Sequence, residues 1–328
     1  MIRNQWYVLL ESKEIKSTPV GMTRMGEKMV FWRDAAGKVH CAVDKCPHRG
    51  IQLSLGRVVE SALQCPFHGF EYDPSGKCVH IPANGRGGAI PATLRLDTYP
   101  THEAHGFIWV WWGQNPPADL EAPPFFEDLD GTFFYSSAQD PWNTHYSRAL
   151  ENQLDVVHLP FIHRNTIGRG GRTLVDGPLV EWHGEKMFYV HVFNRLDDGT
   201  RPRKPSELTV ESARSVYLEL IMPNLWQNHI SPDVRIVAAF VPVDAEHTLL
   251  YLRFYQRFVR LPVLGNLVAK LGMPTNLYIA HEDRRVVNTH QVPASGLKIG
   301  EALIQGDLPI IEYRRKRLEL KQLAGQKE

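Results

Sequence analysis

The sequence predicts two domains of different class: an all-β domain over residues 1–118, and an α+β domain over residues 119–328 in which helices cover an antiparallel sheet. Three observations carry that division. Up to about Gly113, short runs rich in β-branched and aromatic residues alternate with turn signals. Residues 114–124 form a polar, proline-rich connector. Beyond it, longer strand-like runs are bracketed by helical stretches, the pattern of an α+β domain. At 328 residues the chain is long enough for two separate cores.

In chain order, the first domain is expected to place strands at 29–32, at 70–72 before the turn Asp73-Pro74-Ser75-Gly76, and at 107–111. The second is expected to be helical at 146–158, 275–291 and 307–323, with strands at 187–196, 216–221, 234–241 and 249–258. The apolar segment 261–268 is too short for a membrane span and lacks a basic flank, so it is read as a core or pocket-covering helix. A formal net charge of +1 with evenly mixed signs gives no footprint for nucleic acid or for an anionic membrane. Residues 1–7 lack the apolar stretch of a signal peptide, and the expectation is a cytoplasmic protein. In that reducing compartment Cys41 and Cys78, both in strand-like settings, are expected to be buried free thiols.

The other two cysteines carry chemistry. Cys46-Pro47-His48-Arg49-Gly50 and Cys65-Pro66-Phe67-His68-Gly69 each supply one thiolate and one imidazole, with sixteen residues between His48 and Cys65. This suits one [2Fe-2S] cluster in which two cysteines hold one iron and two histidines the other. The competing reading is a structural zinc site, but zinc fingers pair like ligands within a loop, whereas each loop here mixes them. Proline after each cysteine and glycine near the end of each loop suit tight turns that aim backbone N–H groups at the cluster sulfurs. The protein therefore moves electrons singly.

A second set of ligand-type residues follows. Glu151, Asp155 and His158 line up at i, i+4 and i+7 of the expected helix, Pro160 is expected to end it, and His163 returns from the next turn. Two imidazoles with a carboxylate suit a mononuclear metal. Projected at about 100° per residue, Asp283 falls in the middle of an apolar stripe of Ile279, Ala280, Val286 and Val287, where an unpaired carboxylate is costly, and it is the candidate third ligand. Glu282, at the stripe's edge, is the fallback.

Together these motifs resemble a known family. The loop pair, then Asn-x2-Asp-x2-His-x4-His over 152–163 and a distant Asp283, is similar to the catalytic (alpha) subunit of the Rieske non-heme iron oxygenases. In size and pattern the chain resembles the smaller oxygenases of the vanillate O-demethylase and dicamba monooxygenase kind. Ile51 and Phe67 stand where Rieske proteins of respiratory complexes carry a disulfide. The resemblance implies a Rieske domain followed by a helix-grip type domain. Cys46, His48, Cys65 and His68 would hold the cluster, and His158, His163 and Asp283 one Fe(II). Asp155 would bridge that iron site to His68 of a neighbouring subunit in a head-to-tail homotrimer, with Asn152 close to the iron.

It further implies O2-dependent hydroxylation or oxidative O- or N-demethylation of a small aromatic compound, with ring cis-dihydroxylation as the alternative. A Rieske electron carrier or binding protein without catalytic iron is the alternative of another class. Neither Gly85-Arg86-Gly87-Gly88 nor Gly168-Arg169-Gly170-Gly171 has the dinucleotide-binding pattern, so NAD(P)H is expected to act through a separate ferredoxin or flavin-dependent reductase. Trp226, Asn228, Tyr251 and Tyr255 are candidates for the substrate pocket. The basic run Arg314-Arg315-Lys316-Arg317 is expected to be a solvated helix face.

Overall fold

The computed structural model describes residues 1–113, 116–213 and 216–327. Gln114 and Asn115, which the sequence reading assigns to the connector, lie outside the described residues. The chain divides into two compact units, one built from Arg3–Pro123 with Pro242–Asp244, the other from Pro124–Val241 with Ala245–Glu328.

The first unit contains β1 (Gln5–Glu11), β2 (Val20–Arg24), β3 (Glu27–Arg33), β4 (Val39–Val43), β5 (Arg57–Val59), β6 (Ala62–Gln64), β7 (Glu71–Tyr72), β8 (Cys78–His80), β9 (Thr98–Tyr99), β10 (Thr101–Ala104) and β11 (Phe107–Trp112). They form three sheets, β1-β11-β10, β2-β3-β4-β9 and β5-β6-β7-β8. Every residue of β1 and β11 is buried, which is why the apolar and aromatic residues of 6–10 and 107–112 run on without alternating with polar ones. The small sheet β5-β6-β7-β8 packs its Leu63, Tyr72 and Cys78 into a core shared with Val30, Trp32, Cys46 and Cys65. Cys41 and Cys78 are buried free thiols, as expected.

The second unit is a seven-stranded sheet made of β12 (Phe134–Trp142), β13 (Leu174–His183), β14 (Met187–Arg195), β15 (Tyr217–Ile221), β16 (Leu225–Ser231), β17 (Val234–Pro242) and β18 (Thr248–Gln256). Its order is β12-β18-β17-β16-β15-β14-β13, a meander that the first strand closes by pairing with the last. The helices are α1 (Tyr146–Leu154), α2 (Leu159–Ile162), α3 (Pro262–Val287) and α4 (Leu308–Leu323). α3 packs on β12 and β18. Gly265 and Gly272 allow that approach, since a Cβ at either would collide with the ring of Phe134 or Phe254.

Three expectations change. The helix expected over 146–158 stops at Leu154, because the Asp155 carboxylate accepts the backbone N–H groups of Val157 at 2.7 Å and His158 at 3.2 Å, an alternative to the next helical turn. Pro160 does not end that helix; it lies in the first turn of α2, where its missing N–H costs nothing. The segments 261–268 and 275–291 belong to one helix of 26 residues with Pro274 inside it. Close packing on the sheet outweighs a proline cost of about 3 kcal/mol. The outer face of its first half is not core: Val263, Leu264, Leu267 and Leu271 are exposed. Among the described residues no helix is long and apolar enough to cross a membrane.

The basic run of α4 is solvated only in part: Arg315 is exposed. Arg314 and Arg317 are buried. The Arg314 guanidinium donates to Glu151 from Nε at 2.6 Å, and Arg317 donates to the hydroxyl of Tyr146 at 2.6 Å, which ties α4 to α1. Arg148 holds the same Glu151 carboxylate at 3.0 Å. With two guanidiniums on it, Glu151 is removed from any metal role suggested by its helical spacing.

Candidate metal centres

The two Cys-x-His loops are built alike. The Cys46 N–H donates to the Ile51 carbonyl and the Gly50 N–H to the Cys46 carbonyl, both at 2.8 Å; the Cys65 N–H donates to Phe70 at 2.8 Å and the Gly69 N–H to Cys65 at 3.1 Å. Gly50 and Gly69 close the loops at φ of 75° and 72°, in the left-handed region that favours glycine. The result is a buried Cys46 and Cys65 beneath an exposed His48 and His68, whose ring centroids are 4.9 Å apart. His48 stacks on Phe70 at 4.6 Å, which fixes the ring without occupying its nitrogens.

This arrangement bears on which metal the loops hold. A single zinc would draw two sulfurs and two nitrogens around one point. Among the described residues, the sets of three or more ligand atoms mutually within 4.8 Å include none from these loops. Ligands spread in two like pairs, thiols within and imidazoles at the surface, fit the two irons of a Rieske cluster. Sequence reasoning missed Tyr72, whose hydroxyl lies 3.2 Å from Cys46 Sγ and can donate to a cluster ligand. Burial pushes the Tyr72 hydroxyl and the Cys65 thiol above their usual pKa ranges. Its position directly after the second loop was the available signal.

In the second unit, the break after α1 swings His158 and His163 toward the buried end of α3. A Cβ on Gly168 would collide with the Leu159 carbonyl, so glycine closes the turn that returns His163. His158, His163 and Asp283 then each offer one ligand atom within 4.8 Å of the others. Asp283 Oδ1 stands 3.4 Å from His158 Nε2 and 2.9 Å from His163 Nε2. That oxygen is nevertheless buried without a well-aligned hydrogen bond, so the three atoms face a common point rather than one another. A divalent cation at that point satisfies all three, and the residues fit a mononuclear iron.

A further carboxylate faces the other nitrogen of each imidazole, at hydrogen-bond distance for His163 only. Glu282 Oε2 lies 2.9 Å from His163 Nδ1 and accepts from Thr166 Oγ1 at 2.7 Å, while Asp155 Oδ1 lies 3.8 Å from His158 Nδ1. The hydrogen bond to Glu282 fixes the tautomer of His163 for metal binding, whereas His158 Nδ1 is buried without a hydrogen bond. Glu282, expected only as a substitute ligand, thus sits behind His163. The electrostatics agree. Burial disfavours charge on His158, but Asp155 and Asp283 outweigh it and raise its pKa to about 9. Burial also opposes ionisation of Asp283, and the two imidazoles overcome it, holding the acid well below the usual range. The site is one that stabilises a cation.

Asn152 is buried in α1 with its Nδ2 unpartnered, and it is the neighbouring Gln153 whose amide reaches Asp283 Oδ2, at 3.4 Å. Gln153 was not singled out from sequence; on α1 its side is polar but otherwise unremarked. A second acidic group, Asp128, Glu219 and His229, also brings three ligand atoms within 4.8 Å. Its carboxylates already have partners in the protein: Arg235 donates to Asp128 at 2.8 Å and Gln227 donates to Glu219 at 3.0 Å.

The iron-type site opens on a cavity of about 140 Å³ walled by Leu218, Ile236, Phe240 and Leu252 from the sheet and Ile279 from α3. Trp226 and Asn228 line it, as expected; Tyr251 and Tyr255 do not, and Tyr255 instead stacks on Tyr135 at 4.8 Å.

The chain matches two families of known proteins, the Rieske [2Fe-2S] domain over residues 5–100 and the vanillate O-demethylase oxygenase C-terminal domain over residues 142–321. Among curated proteins, the oxygenase component of dicamba O-demethylase from Stenotrophomonas maltophilia is 35% identical over 164 residues, 50% of this chain and 48% of that protein. The chloroplastic protein TIC 55 of Arabidopsis thaliana is 33% identical over 166 residues, 49% of this chain and 30% of that one. The matched region thus spans half or less of these relatives. The crystal structure of dicamba monooxygenase bound to dicamba superposes with a TM-score of 0.73 at 21% identity, over 99% of both chains, a likeness of fold.

Proposed function

The chain belongs to the Rieske-type oxygenases built on the vanillate O-demethylase oxygenase C-terminal domain, and from that membership we propose that it uses O2 to hydroxylate, or oxidatively O- or N-demethylate, a small aromatic substrate. One observation carries the reading: two imidazoles and a buried carboxylate face one point, a further carboxylate faces the other nitrogen of each imidazole, and the point borders an apolar cavity. Bound Fe(II) supplies O2 activation and a [2Fe-2S] cluster supplies electrons one at a time.

In this reading His158, His163 and Asp283 hold the iron, and Cys46, His48, Cys65 and His68 the cluster. Glu282, by accepting from His163 Nδ1–H, would leave Nε2 free to hold the metal. Asp155, anchored by its own backbone turn, presents a carboxylate to His158 Nδ1 and positions the electron path, and Asn152 lies nearby in α1. The apolar wall keeps water from the reacting carbon. The resemblance supports a cytoplasmic head-to-tail homotrimer in which Asp155 reaches His68 of the adjacent subunit. Electrons would come from NAD(P)H through a separate ferredoxin or flavin-dependent reductase.

Iron analysis joined to a product assay tests the proposal. The protein is expected to hold one iron beyond the two of its cluster and to form an oxygenated or demethylated product, scored by mass with NAD(P)H, a surrogate reductase and O2. Retention of the cluster irons only, with function unaffected in His158→Ala, would instead mark an electron carrier.

A further inference from the structure

The cavity beside the iron-type site owes its room to two small side chains. Ile236, Ala238 and Phe240 alternate along β17 and so face the same side of the sheet, and all three line the cavity. Ala238 pairs with Trp226 of β16 across the strands, and Trp226 lines the cavity too. A methyl group among three large side chains leaves a recess in the sheet. From α3, Asn276, Ile279, Ala280 and Asp283 line the cavity at i, i+3, i+4 and i+7, which is one helical face. Ala280 therefore leaves a second recess, one turn from the carboxylate that faces the metal point.

Among the described residues, no other side chain of the wall is as small. The resulting volume of about 140 Å³ is close to that of an engineered cavity of about 150 Å³ that takes up benzene. Trp226, Ile236 and Phe240 are themselves buried, so a second fused ring would have to push packed side chains off their rotamers, which a close-packed interior resists. Ile167 and Ile230 also line the cavity and are 56% and 42% exposed, which puts its mouth between the turn after His163 and the end of β16.

We propose that Ala238 and Ala280 set the size of the substrate, which is a single ring with small substituents and has its reacting group beside Ala280. Fused two-ring systems are refused. This rests on the oxygenase reading of the same site and narrows its substrate class.

Binding, measured by calorimetry on the holoenzyme without reductant, tests it. Methoxybenzene and 2-methoxynaphthalene carry the same group on one ring and on two. The larger compound gains more from leaving water, so a site with room for both holds it more tightly. Here methoxybenzene is expected to bind about tenfold or more tightly instead. Ala238→Leu and Ala280→Leu each add three carbons to a recess and are expected to weaken methoxybenzene by about tenfold or more, with the irons retained. Should Ala280→Leu lose its iron, Ala238→Leu decides, because β17 carries no ligand. Phe240→Ala opens the wall beside Ala238 and is expected to tighten 2-methoxynaphthalene by about tenfold. Tighter binding of 2-methoxynaphthalene by the unaltered protein, absence of saturable methoxybenzene binding, or methoxybenzene binding unchanged in the leucine variants overturns the proposal. Iron content and product formation, scored separately, report on the oxygenase reading, so loss of one inference is not mistaken for loss of the other.

Discussion

In the first unit each candidate ligand pair comes from one short loop that closes on its own backbone, with the same two hydrogen bonds and the same left-handed glycine in both. In the second unit the candidate ligands come from a broken helix and from the far end of another, and the His163–Glu282 contact joins residues 119 apart in sequence. A locally closed loop can hold its ligands wherever it sits. A site assembled from distant elements exists only while the sheet and α3 hold those elements in place, and it compensates with a second layer of carboxylates. The two designs are expected to fail differently.

The largest effect is expected from Asp283→Ala, which removes the carboxylate that both imidazoles share. Turnover falls to background and the mononuclear iron is lost, while the cluster's visible and paramagnetic spectra stay intact. A bleached cluster in that variant would break the separation between the two designs. Next comes Asp155→Asn, which retains both metal centres yet loses about a hundredfold in reductase-coupled turnover. Normal turnover would refute its positioning role. Glu282→Gln is expected to weaken iron binding by about 10–100-fold, read by competition with a chelator, again with the cluster unchanged.

Two smaller effects sharpen the comparison. Gly69→Ala places a Cβ at φ 72° and 3.0 Å from Pro82, and is expected to cost about 1–2 kcal/mol and loosen cluster retention without touching the iron site. Calorimetric unfolding with cluster absorbance as a second probe separates these. In the second unit, His145 caps α1 by accepting from the Ser147 N–H, and burial, aided by nearby Arg317, lowers its pKa to about 2 from 6.5. Below pH 6.5 the unfolded chain takes up a proton that the folded chain refuses. Stability is therefore lost as pH falls, by up to about 1.4 kcal/mol per pH unit from this one group. Replacing His145 with Asn, which also caps, is expected to flatten that part of the stability-against-pH curve.

Much of this site was readable before the fold was known. The loop ligands are close in sequence and flanked by proline and glycine, so spacing alone carried their pairing. His158, His163 and Asp283, grouped on the sequence because a carboxylate in an apolar stripe demands compensation, do bring ligand atoms within 4.8 Å of one another. What escaped was the role of each neighbour. Spacing put Glu151 in line with the metal, yet Arg148 and Arg314 hold it elsewhere. Glu282 looked like a spare ligand and stands behind His163 instead. Gln153 gave no local signal of what it touches, and Tyr72 gave only its place just after the second loop.

The sequence by itself determined the elements whose causes are local: the two glycine-closed loops, the strands, the helical stretches and the residue types able to hold metal. Periodicity and turn chemistry act within a few residues, and those residues are adjacent in the chain. Only the tertiary structure decided which carboxylate stands behind which imidazole, where the chain leaves the helix after Leu154, and which strands of the sheet wall the cavity. Those outcomes depend on packing between segments far apart in sequence, where burial and charge select one partner among several of the same chemical type.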